Sequence, residues 1–235
     1  MKFRIITLLF LFSVSSGYAQ DKKVLRFADD YLDVAFWQRI QGNYEPLVKW
    51  PKNTQSLKYK IVGEFEYINT KAWDIFISDI KMLTDISLVE TDQEDYNILI
   101  YFGPIDQYLK YIGTPLPLNS TNTYNNWGNR RWDEDHQLIS ASFGLDPSKM
   151  RDAKEGLHRL NKGMIRALGL LGELDDEYSI FHKYPTKSNT RISRSDKRLI
   201  KLHYHDSVEC GTESKELRQT ILGIPNIEEL AKEKL

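Results

Sequence analysis

The stretch 152-DAKEGLHRLNKGMIRALGLL-171 decides how the rest of the chain is read. Leu157, Leu160, Met164, Leu168 and Leu171 step along it by three or four residues. That spacing lays one continuous apolar stripe along a helix, with Asp152 at its start. Arg159, Lys162 and Arg166 recur at i, i+3 and i+7 as a basic stripe. Such a stripe is either the solvated outer face of an amphipathic helix, with Glu155 and Arg159 paired at i, i+4, or a cleft that grips an acidic group. Arginine suits the second role because its fork matches carboxylate geometry. Gly163 inside the helix costs about 1 kcal/mol relative to alanine, which points to close approach by a neighbouring strand or side chain.

Outward from this helix, short β-rich runs alternate with helical ones. Residues 27–40 show helical spacing, with Phe27, Tyr31, Val34, Phe36 and Trp37 on or beside the apolar side. A strand over 57–63 follows, then a helix over 70–84 with Trp73, Ile77 and Ile80 inward. The runs 86–89 and 97–102 are short and rich in β-branched and aromatic residues, so they read as strands. Residues 104–131 carry Pro115, Pro117, Gly113, Gly128 and several Asn, the composition of a long surface loop. Tyr124, Trp127 and Trp132 near its end offer aromatic faces for a sugar ring, or simply pack the loop down. Residues 138–143 suit an edge strand. A helix over 193–204, capped by Ser193, precedes two terminal helices within about 214–235, separated by Pro225. The order of elements predicts an α+β fold, a single domain with helices packed on a mixed or antiparallel sheet.

The first nineteen residues have the three parts of a secretory signal peptide. Lys2 and Arg4 form the positive end, 5–12 is apolar, and Gly17 and Ala19 precede a cleavage site before Gln20. The apolar run is too short for a membrane-spanning helix, which needs about 20 residues. A secreted or periplasmic protein of one domain, 20–235, with no transmembrane segment is expected. Removing the leader takes the formal charge from −1 to −3, which lacks the basic footprint of a nucleic-acid binder. Cys210 is the one cysteine, so no internal disulfide is possible. Asn119-Ser120-Thr121 fits the N-glycosylation pattern.

The block 164-MIRALGLLGELDDEYSIF-181, followed by Asp196, Leu199, Ile200 and Tyr204, is similar to an exported bacterial family known only as domain of unknown function twenty-nine twenty-seven. Tyr31 to Phe36, Lys49-Trp50 and the strand near 97–103 resemble that family more loosely. It in turn resembles zinc metallopeptidases of the metzincin type, so the resemblance implies a zincin-like fold. The active-site helix of those enzymes reads H-E-x-x-H-x-x-G, two imidazoles on one Zn²⁺ and a glutamate acting as base on its water. With Gly169 at the motif's glycine, Lys162 and Arg166 stand where the histidines would be and Gly163 where the glutamate would be. Cations do not ligate zinc, and glycine has no base to offer.

The other candidate ligands are scattered. His158 lies three residues from Glu155, His203 and His205 are two apart, and His136 and His182 stand alone. Asp175, Asp176 and Glu177 read as an acidic turn rather than a cation cage. Cys210 and the serines lack a nucleophile signature. No catalytic residue, metal ligand set or cofactor is therefore assigned. The expected function is that of a non-catalytic exported binding or interaction module, with Arg159, Lys162, Arg166, Trp127 and Trp132 as ligand-binding candidates and an acidic peptide or glycan as partner. The alternatives are a metal-dependent hydrolase with an unconventional site around His158, His203 or His205, and a carbohydrate or peptide-fragment binder using the aromatic loop.

Overall fold

Ile98-Leu99-Ile100-Tyr101-Phe102 is apolar or aromatic at every position, the pattern of a strand covered on both faces. In the computed structural model, which describes residues 22–37, 46–65, 70–115, 124–182 and 189–233, it is the central strand. The expected leader and the Asn119-Ser120-Thr121 site lie outside the described residues, as do residues 38–40 of the helix expected over 27–40; the described helix starts earlier and ends at residue 35. The five strands are β1 (Ser56–Val62), β2 (Ser87–Glu90), β3 (Ile98–Phe102), β4 (Asn126–Trp132) and β5 (Leu138–Leu145), in spatial order β2-β1-β3-β5-β4. The first four in that order run parallel, and β4 is antiparallel to β5. The sheet is thus mixed, within an α+β fold.

Helix α1 covers 22–35. Helix α2 (Thr70–Thr84) makes the crossover that lets β1 and β2 run parallel. Helices α3 (Ile105–Tyr111), α4 (Ala153–Ala167), α5 (Arg194–His203), α6 (Ser214–Leu222) and α7 (Ile227–Lys232) complete the chain. The larger core joins one face of the sheet (Leu57, Tyr59, Ile98, Ile100, Phe102, Phe143) to Trp73 and Phe76 of α2 and to Leu157, Leu160 and Met164 of α4. The other face carries a smaller core of Leu99, Ile105, Tyr108 and Leu109, where α3 packs.

Two features depart from the reading of the sequence. The expected loop over 104–131 holds α3 and β4. Pro104 stands at the N-cap of α3 rather than inside a loop, because the missing proline N–H has no intrahelical acceptor at a helix start. Strand β4 reads Asn-Trp-Gly-Asn-Arg-Arg-Trp, with no apolar alternation to mark it, since it closes one edge of the sheet. Residues 138–143 consequently form an interior strand, flanked by β3 and β4, and not an edge.

Helix α4 is the element that positions the candidate site. The side chain of its N-cap, Asp152, accepts from the Glu155 N–H at 2.8 Å, a contact that stabilises a helix start by about 1 kcal/mol. A Cβ on Gly163 would lie 2.7 Å from the ring of Phe143, so the glycine lets helix and sheet touch. Gly169 follows the helix at φ +106°, and a Cβ there would meet the Val48 carbonyl oxygen at 2.1 Å. Alanine at 163 gains about 1 kcal/mol of helix propensity but incurs overpacking of about 1–3 kcal/mol against a buried ring. Gly163→Ala is therefore expected to destabilise the protein in urea denaturation, and Phe143→Leu in the same chain to recover part of the loss. A more stable Gly163→Ala variant would show that α4 does not press on β5.

Candidate functional site

The basic stripe of α4 is not a solvated face. Side-chain exposure is 15% for Arg159, 12% for Lys162 and 24% for Arg166. Two carboxylates hold these cations. Arg159 places Nε and Nη2 on Glu155 Oε1 at 2.8 and 2.6 Å, and Arg151 Nε donates to Glu155 Oε2 at 2.8 Å. Burial would raise the Glu155 carboxyl, but the hydrogen bonds from Arg151 and Arg159 override it and bring it down to about 2. Lys162 Nζ and Arg166 Nη2 both donate to Glu173 Oε1, at 3.2 and 2.8 Å. Lys162 also donates to the His182 carbonyl at 2.8 Å.

Glu173 arrives there through the backbone. The N–H groups of Gly172 and Glu173 donate to the Val34 and Asp33 carbonyls at 2.8 and 3.1 Å, satisfying acceptors at the C-terminal end of α1 that lack intrahelical partners. Burial opposes the Glu173 charge, yet Lys162 and Arg166 keep the carboxyl below its usual range. Among the described residues, two cations share this one carboxylate. Burial first, and then the neighbouring Arg166 charge, lower Lys162 to about 8. Where the resemblance puts a zinc-binding face, Gly163 is backed by Phe143 and its flanking cations are held by Glu173.

The aromatic candidates separate. Trp127 packs in the smaller core beside α3 and Trp132 against the larger core, on opposite faces of the sheet. They do not make one platform for a sugar ring. Tyr124 meets the edge of Trp127 at 5.1 Å between centroids. The exposed indole lies elsewhere: Trp37, just past α1, is 44% exposed. The guanidinium carbons of Arg130 (β4) and Arg166 (α4) stand 5.8 and 5.9 Å from its ring centre. Trp37 thickened the apolar side of a helix in the sequence, and Arg130 lay in an apparent loop, so neither stood out.

His158 and His203 are buried, and each has an Nε2 without a hydrogen-bond partner. His158 Nδ1 meets the Asn189 carbonyl at 3.0 Å, and His203 Nδ1 meets the Tyr31 hydroxyl at 3.0 Å. No group of three or more His, Cys, Asp or Glu able to hold a metal ion occurs among the described residues. Cys210 is half-buried, its thiol raised by burial and donating weakly to the Lys49 carbonyl; that environment suppresses the thiolate. The Ser-Ile-Phe block has a structural purpose. Ser179 Oγ and the Ile180 N–H donate to the buried Asp196 carboxylate at 2.6 and 3.0 Å, and Asp196 also closes a capping box with Ser193 at the start of α5.

No family model matches the chain, and no curated protein matches it. Among the described residues no helix is long and apolar enough to cross a membrane.

Burial lowers His158 to about 4 and His203 to about 3, from 6.5. The neutral rings thus contribute stability that is complete above pH 6.5 and is lost as pH falls towards 4 and 3. Between pH 6 and 5 the unfolded chain binds more protons at both sites, and each histidine adds a slope of about 1.4 kcal/mol per pH unit. Stability measured by denaturant titration should fall across that interval, and His158→Gln should flatten the fall by about that amount. An unchanged slope would mean that His158 titrates alike in the folded and unfolded chains.

Proposed function

We propose that the protein is an exported, non-catalytic binding module built on a zincin-like domain. One observation carries the reading. Along α4, the positions that the resemblance aligns with two zinc-binding histidines and the catalytic glutamate are Lys162, Arg166 and Gly163, and they are committed to Glu173 and Phe143. Side chains that hold the fold together in this way are unavailable for metal-assisted hydrolysis. The leader, the absence of a nucleophile signature and the suppressed Cys210 thiolate support the same reading.

The hydrolase alternative finds one favourable feature, the unbonded Nε2 atoms of His158 and His203. His158 belongs to α4 and His203 to the end of α5. His203 Nε2 faces Gly169, just past the C-terminal end of α4 and 2.9 Å from where its Cβ would be, whereas His158 lies about 14 Å back along the helix axis from Ala167. The Lys49 ammonium, buried and donating to the His203 and Val208 carbonyls, adds a like charge beside His203 that disfavours a cation.

Protein dialysed against Zn²⁺ and then against metal-free buffer is expected to carry far less than one equivalent of zinc and to show no chelator-sensitive peptidase activity. One equivalent of zinc, lost together with an activity in His158→Ala, would overturn the non-catalytic reading.

A further inference from the structure

We infer that strand β2 is a dimerisation edge: it pairs antiparallel with β2 of a second copy of this chain, joining two five-stranded sheets into one continuous sheet. The inference goes beyond the reading of the protein as a binding module and does not depend on it. In the order β2-β1-β3-β5-β4, β2 has a neighbouring strand on one side only among the described residues. The ladder to β1 determines which backbone groups face outward. The Ser87 and Thr91 N–H groups donate to the Gln55 and Tyr59 carbonyls, and Val89, midway between them, turns the same way by the two-residue period of a strand. Leu88 and Glu90 therefore present their N–H and C=O groups to the open edge. Open edges are commonly guarded by proline, a bulge or a lysine. Strand β2 reads Ser-Leu-Val-Glu, its register with β1 is unbroken, and Val89 within it is 47% exposed.

Symmetry and charge select a second copy as the occupant. Antiparallel strands centred on Val89 pair Leu88 with Glu90 of the second copy, and Glu90 with its Leu88. Each pair exchanges both of its N–H···O bonds, because these are the residues whose amides point outward. Val89 then meets Val89 of the second copy at the closer, non-hydrogen-bonded position, where β-branched side chains pack well. Opposite charges are set together by the same register. Lys81, in the last turn of α2, donates to Ser87 Oγ at 2.7 Å at the start of β2, while Glu90 and Asp92 stand exposed at its end. The Lys81 ammonium is thus held one residue from Leu88, the position opposite Glu90 of the second copy, whereas Asp85 lies three residues back in the preceding turn. Parallel pairing would instead set Glu90 and Asp92 of the two copies side by side. Met82, 60% exposed, adds apolar surface on the helix that packs beside β2. Such a contact uses the same patch on both copies and closes at a dimer.

The test is sedimentation velocity on the chain from Gln20 onward over about 1–200 μM, the range in which an interface smaller than the standard ~1,600 Å² associates. A reversible dimer is expected. Val89→Lys sets two ammoniums face to face across the two-fold axis and should leave monomer throughout. Ile139→Lys, at a similarly exposed apolar residue of β5, should leave the dimer unchanged. Glu90→Pro removes an N–H that points outward and keeps the ladder to β1, a placement that edge strands tolerate. It should weaken dimerisation about tenfold or more, the scale of losing hydrogen bonds at a small interface. Lys81→Glu should weaken it about tenfold, and Lys81→Glu combined with Glu90→Lys should restore it, a recovery that only the antiparallel register gives. In a Cys210→Ser background, Val89→Cys should form a covalent dimer on mild oxidation with diamide, because a non-hydrogen-bonded pair sets its Cα atoms about 4.5 Å apart, within disulfide range. That variant reports on the edge even where Glu90→Pro folds poorly. A parent that stays monomeric, with no cross-link in Val89→Cys, would overturn the proposal and leave the edge to a strand of a different protein. A dimer indifferent to Val89→Lys and Glu90→Pro would overturn it as well and move the interface to another face.

Discussion

One carboxylate oxygen, Glu173 Oε1, holds two cations of α4, and much of the structure around that helix is arranged by it. The Glu173 and Gly172 backbone amides cap α1 while the Glu173 side chain grips Lys162 and Arg166. Lys162 carries the connection on to the His182 carbonyl. Three segments distant in sequence are thereby fixed to one helix. Replacing a buried cluster wholesale by apolar groups is often neutral, whereas removing a single member costs about 3–5 kcal/mol when burial is complete; Glu173 is 35% exposed, so water screens part of that cost here. The cluster is therefore a constraint that the fold has to respect.

Polar side chains elsewhere on α4 and beside it follow the same principle, tying down irregular chain that has little core of its own. His158 and Asn161 meet the Asn189 and Thr190 carbonyls. Trp50 Nε1 donates to the Ala167 carbonyl and the Tyr204 hydroxyl to the Leu168 carbonyl, at 2.9 and 2.8 Å. Those last two bonds satisfy carbonyls at the helix C-terminus, which have no partner within the helix. Asp196 does for the Ser179-Ile180 turn what Glu173 does for the segment after α4. A helix whose polar groups are spent on its neighbours is a poor place for exchangeable metal chemistry.

Much of this was legible in the sequence, and what was not has physical causes. Apolar spacing marked α4, α2, β1 and β5, because burial on one side imposes a period on the residues, and β-branched and aromatic content marked β2 and β3. Strand β4 bears little such burden and reads as loop. Helix α3 is two turns long, too short for periodicity to register, and its Pro104 start resembles a loop marker. The basic stripe of α4 was correctly located, but its depth was not, since the carboxylate that permits its burial, Glu173, comes seven residues after Arg166 and is positioned only by the docking of α1. For the same reason Trp127 and Trp132 looked like companions in sequence and proved to lie across the sheet from each other. The Ser-Ile-Phe block was noticed as a resemblance; Asp196 explains it as a buried hydrogen-bonded turn.

Glu173 holds the α4 cations as a structural clamp. A double-mutant cycle on Lys162 and Glu173, read by chemical denaturation, tests this directly. Glu173→Gln alone should destabilise the protein by about 1–2 kcal/mol, since the carboxylate is 35% exposed and partly screened, and pairing it with Lys162→Met should recover part of the loss, giving a coupling energy above about 0.5 kcal/mol. Independent, additive losses, or a Glu173→Gln variant within about 0.5 kcal/mol of the parent, would contradict the clamp and leave the cationic face of α4 available for another purpose.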